Sequence, residues 1–350
     1  MSKRINSHDV ARKAGVSQST VSLVLNGRMN ARISQQTRER VIEAARQLNY
    51  SLNTSARALV TGKTHRISIV LNEPGNFRTH NSFFVDILAG VVDAAVETRY
   101  NIVFLCASYP DWRSLFDEIR GGSSDGVLLI GRYSDDPLTL ALLDALFPTV
   151  CVSYSPNHCY FHSVDCDNEL GGRLAAQHLI DLGHRNIAYI HPEESLSWVI
   201  ERKQGIIKTL QMNDIPEETL VCSSSPYLIN DQEQSYKELM RVIDSAPVKP
   251  TALIFADEWR AQWMIEKMGE EGIRIPGDFS VVNFNSTILS ERAYPPITSV
   301  WQPLTEIGKA AFRLLIDILD EMDVPSRTIR YPVRLDVRES TAPLERSSVK

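Results

Sequence analysis

The chain has 350 residues, about 2.3 times an average domain of ~150, so two or three folding units are expected. With 43% apolar and 23% charged residues, 17 Gly and 17 Pro, its composition excludes collagen-like, disulfide-scaffold and wholly disordered classes. Residues 1–63 hold eleven Lys/Arg against three Asp/Glu, a net of +8, and since the whole chain carries −6 the remainder carries −14. A basic head on an acidic body is the electrostatic footprint of a polyanion-binding module tethered to something else, although a merely solvated basic surface gives the same count.

Three short helices are predicted in the head. Asn6 caps the first, with Asp9 three positions on to answer the cap amide, and Val10, Ala11 and Ala14 form its apolar stripe. Gly15 supplies a left-handed stop. Ser17 caps a second helix with Val21, Val24 and Leu25 facing inward, ended by Asn26-Gly27. Ser34 starts a third, with Val41, Ala44, Ala45 and Leu48 on one face. Two helices joined by so tight a glycine turn and buttressed by a third make a helix-turn-helix. In such a unit the second helix enters the major groove. Gln18 and Ser19 open that helix and suit base edges, since Gln can bond adenine bidentately. Ser17, Thr20, Ser22 and Asn26 offer short hydroxyls and an amide suited to phosphate oxygens; a helix cap or a solvated face is the plainer role for each.

From Ile67 the pattern changes. Short apolar runs (Ile67–Leu71, Ile102–Leu105, Val127–Ile130, Val150–Val152, Ile187–Ile190, Leu253–Phe255, Val281–Phe284) predict strands buried on both faces. Most are separated by helical stretches: Phe84–Val96, Leu138–Leu146, Arg173–Leu182, Arg202–Leu210 and Leu304–Leu319. The expected architecture is multidomain, an all-α helix-turn-helix head plus an α/β body of two lobes with parallel doubly wound sheets and a cleft between them. Polar Glu339–Lys350 is expected to fray.

Several features argue against other classes. No apolar run reaches the ~18 residues that span a bilayer, and the first residues lack a secretion signal, so a cytoplasmic protein with no membrane partner is expected. Cys106, Cys151, Cys159, Cys166 and Cys222 contain no Cys-x-x-Cys pair, so reduced thiols and no metal or cofactor are expected. Phosphate-loop and dinucleotide fingerprints are absent, and Gly121-Gly122-Ser123-Ser124 precedes a strand where a phosphate loop follows one. A nucleotide-dependent α/β enzyme is therefore disfavoured, as is a plain solute-binding or sensor protein, for which the basic head has no use. His184 reads as a structural residue at a helix end rather than an acid/base, and Asp135-Asp136 and Glu193-Glu194 as solvated loop acids.

The run from Asp9 to Gly27, with Ile33-Ser34, Thr37–Val41, Leu48-Asn49-Tyr50, Asn53 and Ala56–Leu59, resembles the head of the lactose/galactose-repressor family of bacterial transcription regulators. The resemblance continues through Asn81–Phe84, Asp125–Leu129, Asp167-Asn168, His178–Ala188, Pro295–Val300 and Leu335–Thr341. It implies a regulator that binds a palindromic double-stranded operator as a homodimer and is switched by a small molecule. One departure is that Leu23 stands where the family usually has a guanine-contacting Arg, leaving a thymine methyl contact or simple packing.

By the same resemblance Asn53, Ala56, Arg57 and Leu59 belong to a hinge helix paired in the minor groove, with Leu59 as the wedge. The body is implied to be similar to periplasmic sugar-binding proteins. Implied limits are 1–52 for the DNA-binding domain, 53–64 for the hinge and 342–350 for a tail. The lobes are 65–165 plus 304–331, and 166–303 plus 332–341. Cleft residues implied are Phe83, Ser153, Asp167, Arg202, Asp257 and Asn285, for a ligand that is most often a sugar in this family, with a nucleobase or nucleoside as the alternative. Trp198, Trp259 and Trp263 are candidate aromatic walls or core residues.

Overall fold

A computed structural model of the chain describes residues 5–25, 33–50, 58, 62–71, 82–106, 109–131, 136–154, 161–192, 196–224, 232–321 and 325–344. The chain forms two units, residues 1–64 and 65–350.

The head contains α1 (Ser7–Ala14), α2 (Gln18–Leu25) and α3 (Gln35–Gln47). Asn6 Oδ1 accepts from the amides of His8 and Asp9 while Asp9 Oδ2 answers the Asn6 amide, which closes a capping box. Gly15 ends α1 at φ 65, a left-handed value that a side chain resists. Val10, Val21, Val41 and Ala44 close a small core between the three helices.

The body holds two six-stranded sheets. In the N-lobe, β1 (Arg66–Leu71), β2 (Asn101–Phe104), β3 (Gly126–Ile130), β4 (Thr149–Val152), β5 (His162–Cys166) and β11 (Thr328–Tyr331) lie in the order β11-β5-β4-β3-β1-β2, all parallel. In the C-lobe, β6 (Ile187–His191), β7 (Leu220–Ser224), β8 (Ala252–Phe255), β9 (Ser280–Asn285), β10 (Thr298–Trp301) and β12 (Arg334–Asp336) lie in the order β12-β10-β9-β8-β6-β7. Only β12, at an edge, is antiparallel to its neighbour. The chain passes between the sheets after Cys166, after Trp301 and after Tyr331, and the amide of Asp167 donates to the carbonyl of Tyr331 (2.8 Å), tying the first passage to the third.

Helices α4 (Ser82–Thr98), α5 (Trp112–Glu118), α6 (Pro137–Asp144) and α12 (Leu304–Asp320) accompany the first sheet. With the second go α7 (Asn168–Asp181), α8 (Ser197–Met212), α9 (Gln232–Ser245), α10 (Glu258–Glu270) and α11 (Ile288–Arg292). In each lobe two helices touch backbone to backbone at glycines. A Cβ on Gly172 of α7 would stand 2.1 Å from the Arg202 carbonyl oxygen, and one on Gly205 of α8 would stand 2.1 Å from that of Glu169. Gly90 of α4 and Gly308 of α12 meet in the same way.

Two loop readings need correction or completion. Asp136 is buried, not solvated: it caps α6, accepting from the amide and hydroxyl of Thr139, because the helix start faces the N-lobe core. Asp135, Glu193, Glu194, Cys159 and the Asn26-Gly27 stop lie outside the described residues. His184 is a buried structural residue, with its ring nitrogens 2.8 Å from Thr251 Oγ1, 3.0 Å from Ser280 Oγ and 3.1 Å from the Ala342 carbonyl oxygen. Burial pushes its pKa down. The C-terminal segment from Arg338 to Leu344 thereby lies along the C-lobe rather than free, with Ser340 bonding to the Val281 and Thr298 backbones.

Candidate DNA-reading face and effector cleft

At the start of α2 the side chains point outward. Gln18, Ser19, Ser17 and Ser22 are exposed, Thr20 and Leu23 half-buried. Ser17 Oγ lies 2.7 Å from Ser19 Oγ and 2.9 Å from Thr20 Oγ1 and accepts from the Thr20 amide (3.2 Å), so the cap hydroxyl gathers its neighbours into one polar cluster. Gln18 Nε2 donates to Ser7 Oγ on α1 (2.8 Å), a bond that both fixes the amide and joins the two helices. Asn26 and the hinge residues Asn53, Ala56, Arg57 and Leu59 lie outside the described residues.

In the body, polar side chains converge where the chain passes between the sheets. Arg202 on α8 is 4% exposed. Its Nε donates to Asn168 Oδ1 (2.9 Å), Nη1 to the Ala256 carbonyl (2.5 Å) and Nη2 toward Gln302 Oε1 (3.4 Å). Its guanidinium lies against Phe284 (4.0 Å to the ring centroid) and Trp198 (4.7 Å), so cation–π attraction adds to the hydrogen bonds in fixing its plane. Gln302, between β10 and α12, donates from Nε2 to Asn285 Oδ1 (2.8 Å) and accepts from the Cys166 thiol (3.0 Å). Asn285 closes β9 at φ 106, a sparsely populated region for a residue with a side chain, and Ser286 follows at φ 55.

Beneath this network sits Asp165 on β5, 2% exposed, accepting from the Cys166 amide (2.7 Å) and Asn168 Nδ2 (3.0 Å). Burial, reinforced by Glu201 and opposed by the Cys166 amide and by Arg202 and Arg330, pushes its carboxyl up to about 7. Burial also pushes the neighbouring Cys166 thiol up.

Arg202 and Asn285 are thus linked through Gln302, while Asn168 holds the other edge of the guanidinium; neither Gln302 nor Asn168 is among the cleft residues that the resemblance implies. Asp257 stands one residue beyond the carbonyl that Arg202 grips. Both its oxygens are engaged, Oδ1 by the Arg260 amide (2.9 Å) and Oδ2 by Arg260 Nη1 (2.7 Å). Asp167 caps α7 through the Leu170 amide (2.9 Å). The hydrogen bonds of this network include neither Phe83, in the first turn of α4 edge-on to Phe84 (5.2 Å), nor Ser153, which follows β4 at φ 54. Trp198 belongs to the cleft group through Arg202, whereas Trp263 packs edge-on to Tyr236 (6.3 Å) in a core on the C-lobe and is no cleft wall. Among the described residues no cluster of metal-ligating side chains is present.

A helix-turn-helix unit followed by two doubly wound lobes, with buried polar side chains converging at three chain passages, is the architecture of a ligand-responsive DNA-binding regulator. Residues 7–53 match the model for bacterial regulatory proteins of the lacI family, and residues 176–341 that for a periplasmic binding protein-like domain. The chain is 33% identical over 344 residues to the HTH-type transcriptional regulator CelR of Thermobifida fusca, covering 95% of this chain and 96% of that one. The structure of a transcriptional regulator CelR–cellobiose complex superimposes with a TM-score of 0.71 at 29% identity, covering 96% of this chain and all of that one. The fold is also that of the Lac repressor dimer bound to operator and the anti-inducer ONPF (TM-score 0.82, 24% identity, 97% and 100% coverage). The protein therefore belongs to the lacI family and is a ligand-responsive, sequence-specific DNA-binding transcription regulator.

Proposed function

We propose that this regulator is a cytoplasmic repressor that grips a palindromic operator as a homodimer and is switched by a sugar held in the body cleft. The observation that carries the reading is the buried cluster of Arg202, Asn168, Gln302 and Asn285, an array of directed donors and acceptors suited to the hydroxyls of a small ligand. The cellobiose-bound relative supports a sugar over a nucleoside. Phe83, Ser153, Asp167 and Asp257 complete the proposed ligand set, with Arg260 the group a ligand must displace from Asp257. Gln18, Ser19 and Leu23 read bases; Ser17, Thr20, Ser22 and Asn26 hold phosphates; and Asn53, Ala56, Arg57 and Leu59 form the hinge. The proposed lobe limits are 65–165 plus 304–331, and 166–303 plus 332–341.

A second copy has a surface to bind. Val85, Val92 and Val96 on α4 are 55%, 47% and 75% exposed and share one helix face, and Phe104 is exposed on the edge strand β2. Apolar stripes of this kind mark association surfaces. Ligand binding then acts by population shift, favouring one lobe arrangement and with it one spacing of the paired heads.

Operator titration with the protein's own upstream DNA, with and without cellobiose, ribose and a panel of nucleosides, tests the reading. Binding should fall steeply with salt as counterions are released. Gln18→Ala should lower operator affinity about 5- to 150-fold, the ~1–3 kcal/mol of a lost base contact, while the melting of the head falls only by the loss of its exposed bond to Ser7. Arg202→Ala should abolish the ligand response. A wild-type protein indifferent to that DNA under every ligand overturns the regulator assignment, and a response to nucleosides alone overturns the sugar.

A further inference from the structure

Glu258 opens α10 directly after Asp257 and is 1% exposed. Its Oε1 accepts from the amides of Thr287 (2.9 Å) and Ser290 (3.0 Å) and from Ser290 Oγ (2.5 Å), and its Oε2 accepts from Thr287 Oγ1 (2.5 Å). These four donors lie at and within α11, on the same lobe as Glu258. The fifth comes from the other lobe: Ser82 Oγ, at the start of α4, donates to Oε2 at 2.8 Å and stands 3.1 Å from Thr287 Oγ1. Asp86, one turn further along α4, has its carboxyl pushed up by burial and then by the Glu258 charge, so the N-lobe helix meets that carboxylate twice.

A carboxylate pinned by four donors of its own lobe is in place before the other lobe arrives, and a charged acceptor makes the fifth bond a strong one. Separating the lobes at this edge breaks the contacts of Ser82 with Glu258 and Thr287 and leaves the carboxylate its four donors from its own lobe, so no buried charge is stripped bare. The bond is therefore both specific and releasable.

We propose that Ser82 and Glu258 form a latch that holds the two lobes in the arrangement seen here, with both acting as positioning residues for the switch. This rests on the reading of the body as a two-lobe effector module. Because Glu258 is covalently next to Asp257, a ligand that displaces Arg260 from Asp257 moves the first turn of α10, and the latch carboxylate moves with it.

Amide hydrogen exchange on the full-length wild type, Ser82→Ala and Ser82→Thr tests the latch with no ligand needed. Lobe separation must twist the chain passages, where the Asp167 amide is held by Tyr331 and the Leu304 amide by the Gln302 carbonyl. Ser82→Ala should speed exchange at these amides about tenfold, the loss expected for one hydrogen bond to a charged group, while Ser82→Thr keeps the hydroxyl and the wild-type rate. Unchanged exchange in Ser82→Ala, or exchange raised equally in both variants, overturns the latch. An operator titration on the same samples keeps the two ideas apart, since a wild type that ignores DNA refutes the regulator reading while the exchange result still decides the latch.

Discussion

The head and the body place the side chains of their proposed sites in opposite ways. In the head Gln18, Ser19 and Ser17 are exposed, and the bonds that set them run to neighbours at most eleven residues away. In the body Arg202, Asn168, Gln302 and Asn285 are buried, and Arg202 reaches partners 34, 54 and 100 residues distant. An exposed surface of the first kind can be rewritten at the cost of a few local bonds, such as that of Gln18 to Ser7. A buried network of the second kind is part of the scaffold, because removing one member strands the others in a low-dielectric interior.

The comparison can be broken most forcefully at Asp165. Its folded pKa of about 7 lies above the ordinary carboxylate value, so between about pH 4 and 7 the folded body binds more protons than the unfolded chain, and stability falls as pH rises through that window. The effect is on the order of 4 kcal/mol between the two plateaus. His178 and His184 work the other way: burial lowers both, so acidification below about pH 6.5 protonates the unfolded chain first and costs stability. Asp165→Asn should therefore be more stable than the wild type at pH 8 and lose most of that advantage by pH 4 in urea denaturation. A gap constant across pH would show that the carboxyl is not titrating in place.

A smaller effect is expected at the α7–α8 contact. Gly172→Ala drives a methyl into the Arg202 carbonyl and should cost the body ~1–3 kcal/mol, with a matching fall in ligand affinity. If stability drops while ligand binding is untouched, the cleft is less tied to helix packing than the geometry requires. The smallest effect belongs to the head. Asn6→Ala removes one exposed cap and should cost about 1 kcal/mol, lowering the melting of the head and leaving the body transition alone.

The same contrast explains what was legible in the chain. The head could be read almost residue by residue, because caps, glycine stops and apolar stripes are local: Asn6, Gly15, Ser17 and Ser34 all do what their positions predict. Central strands such as Ile67–Leu71 and Val127–Ile130 announce themselves by being buried on both faces. Strands β5, β7, β10, β11 and β12 did not, since His-Ser-Val-Asp-Cys or Thr-Ile-Arg-Tyr carries polar residues at the chain passages and sheet edges. Arg202 and Asn285 could be named as candidates by resemblance. Gln302, Asn168, Asp165 and Glu258 could not, because what gives each its role is a partner that only folding brings near. The β9 terminus shows the limit well, since nothing in Asn285-Ser286 signals two consecutive positive φ angles.

The glycine crossings have a mechanical meaning. With α4 pressed on α12 and α7 pressed on α8 at main-chain contact, each helix pair leaves no room for a side chain between its members and moves as one piece. In the proposed switch, a small push at the ligand is passed on as rotation about the chain passages that join the two halves. Stiffness inside each half is what lets so slight a cause become a usable lever arm.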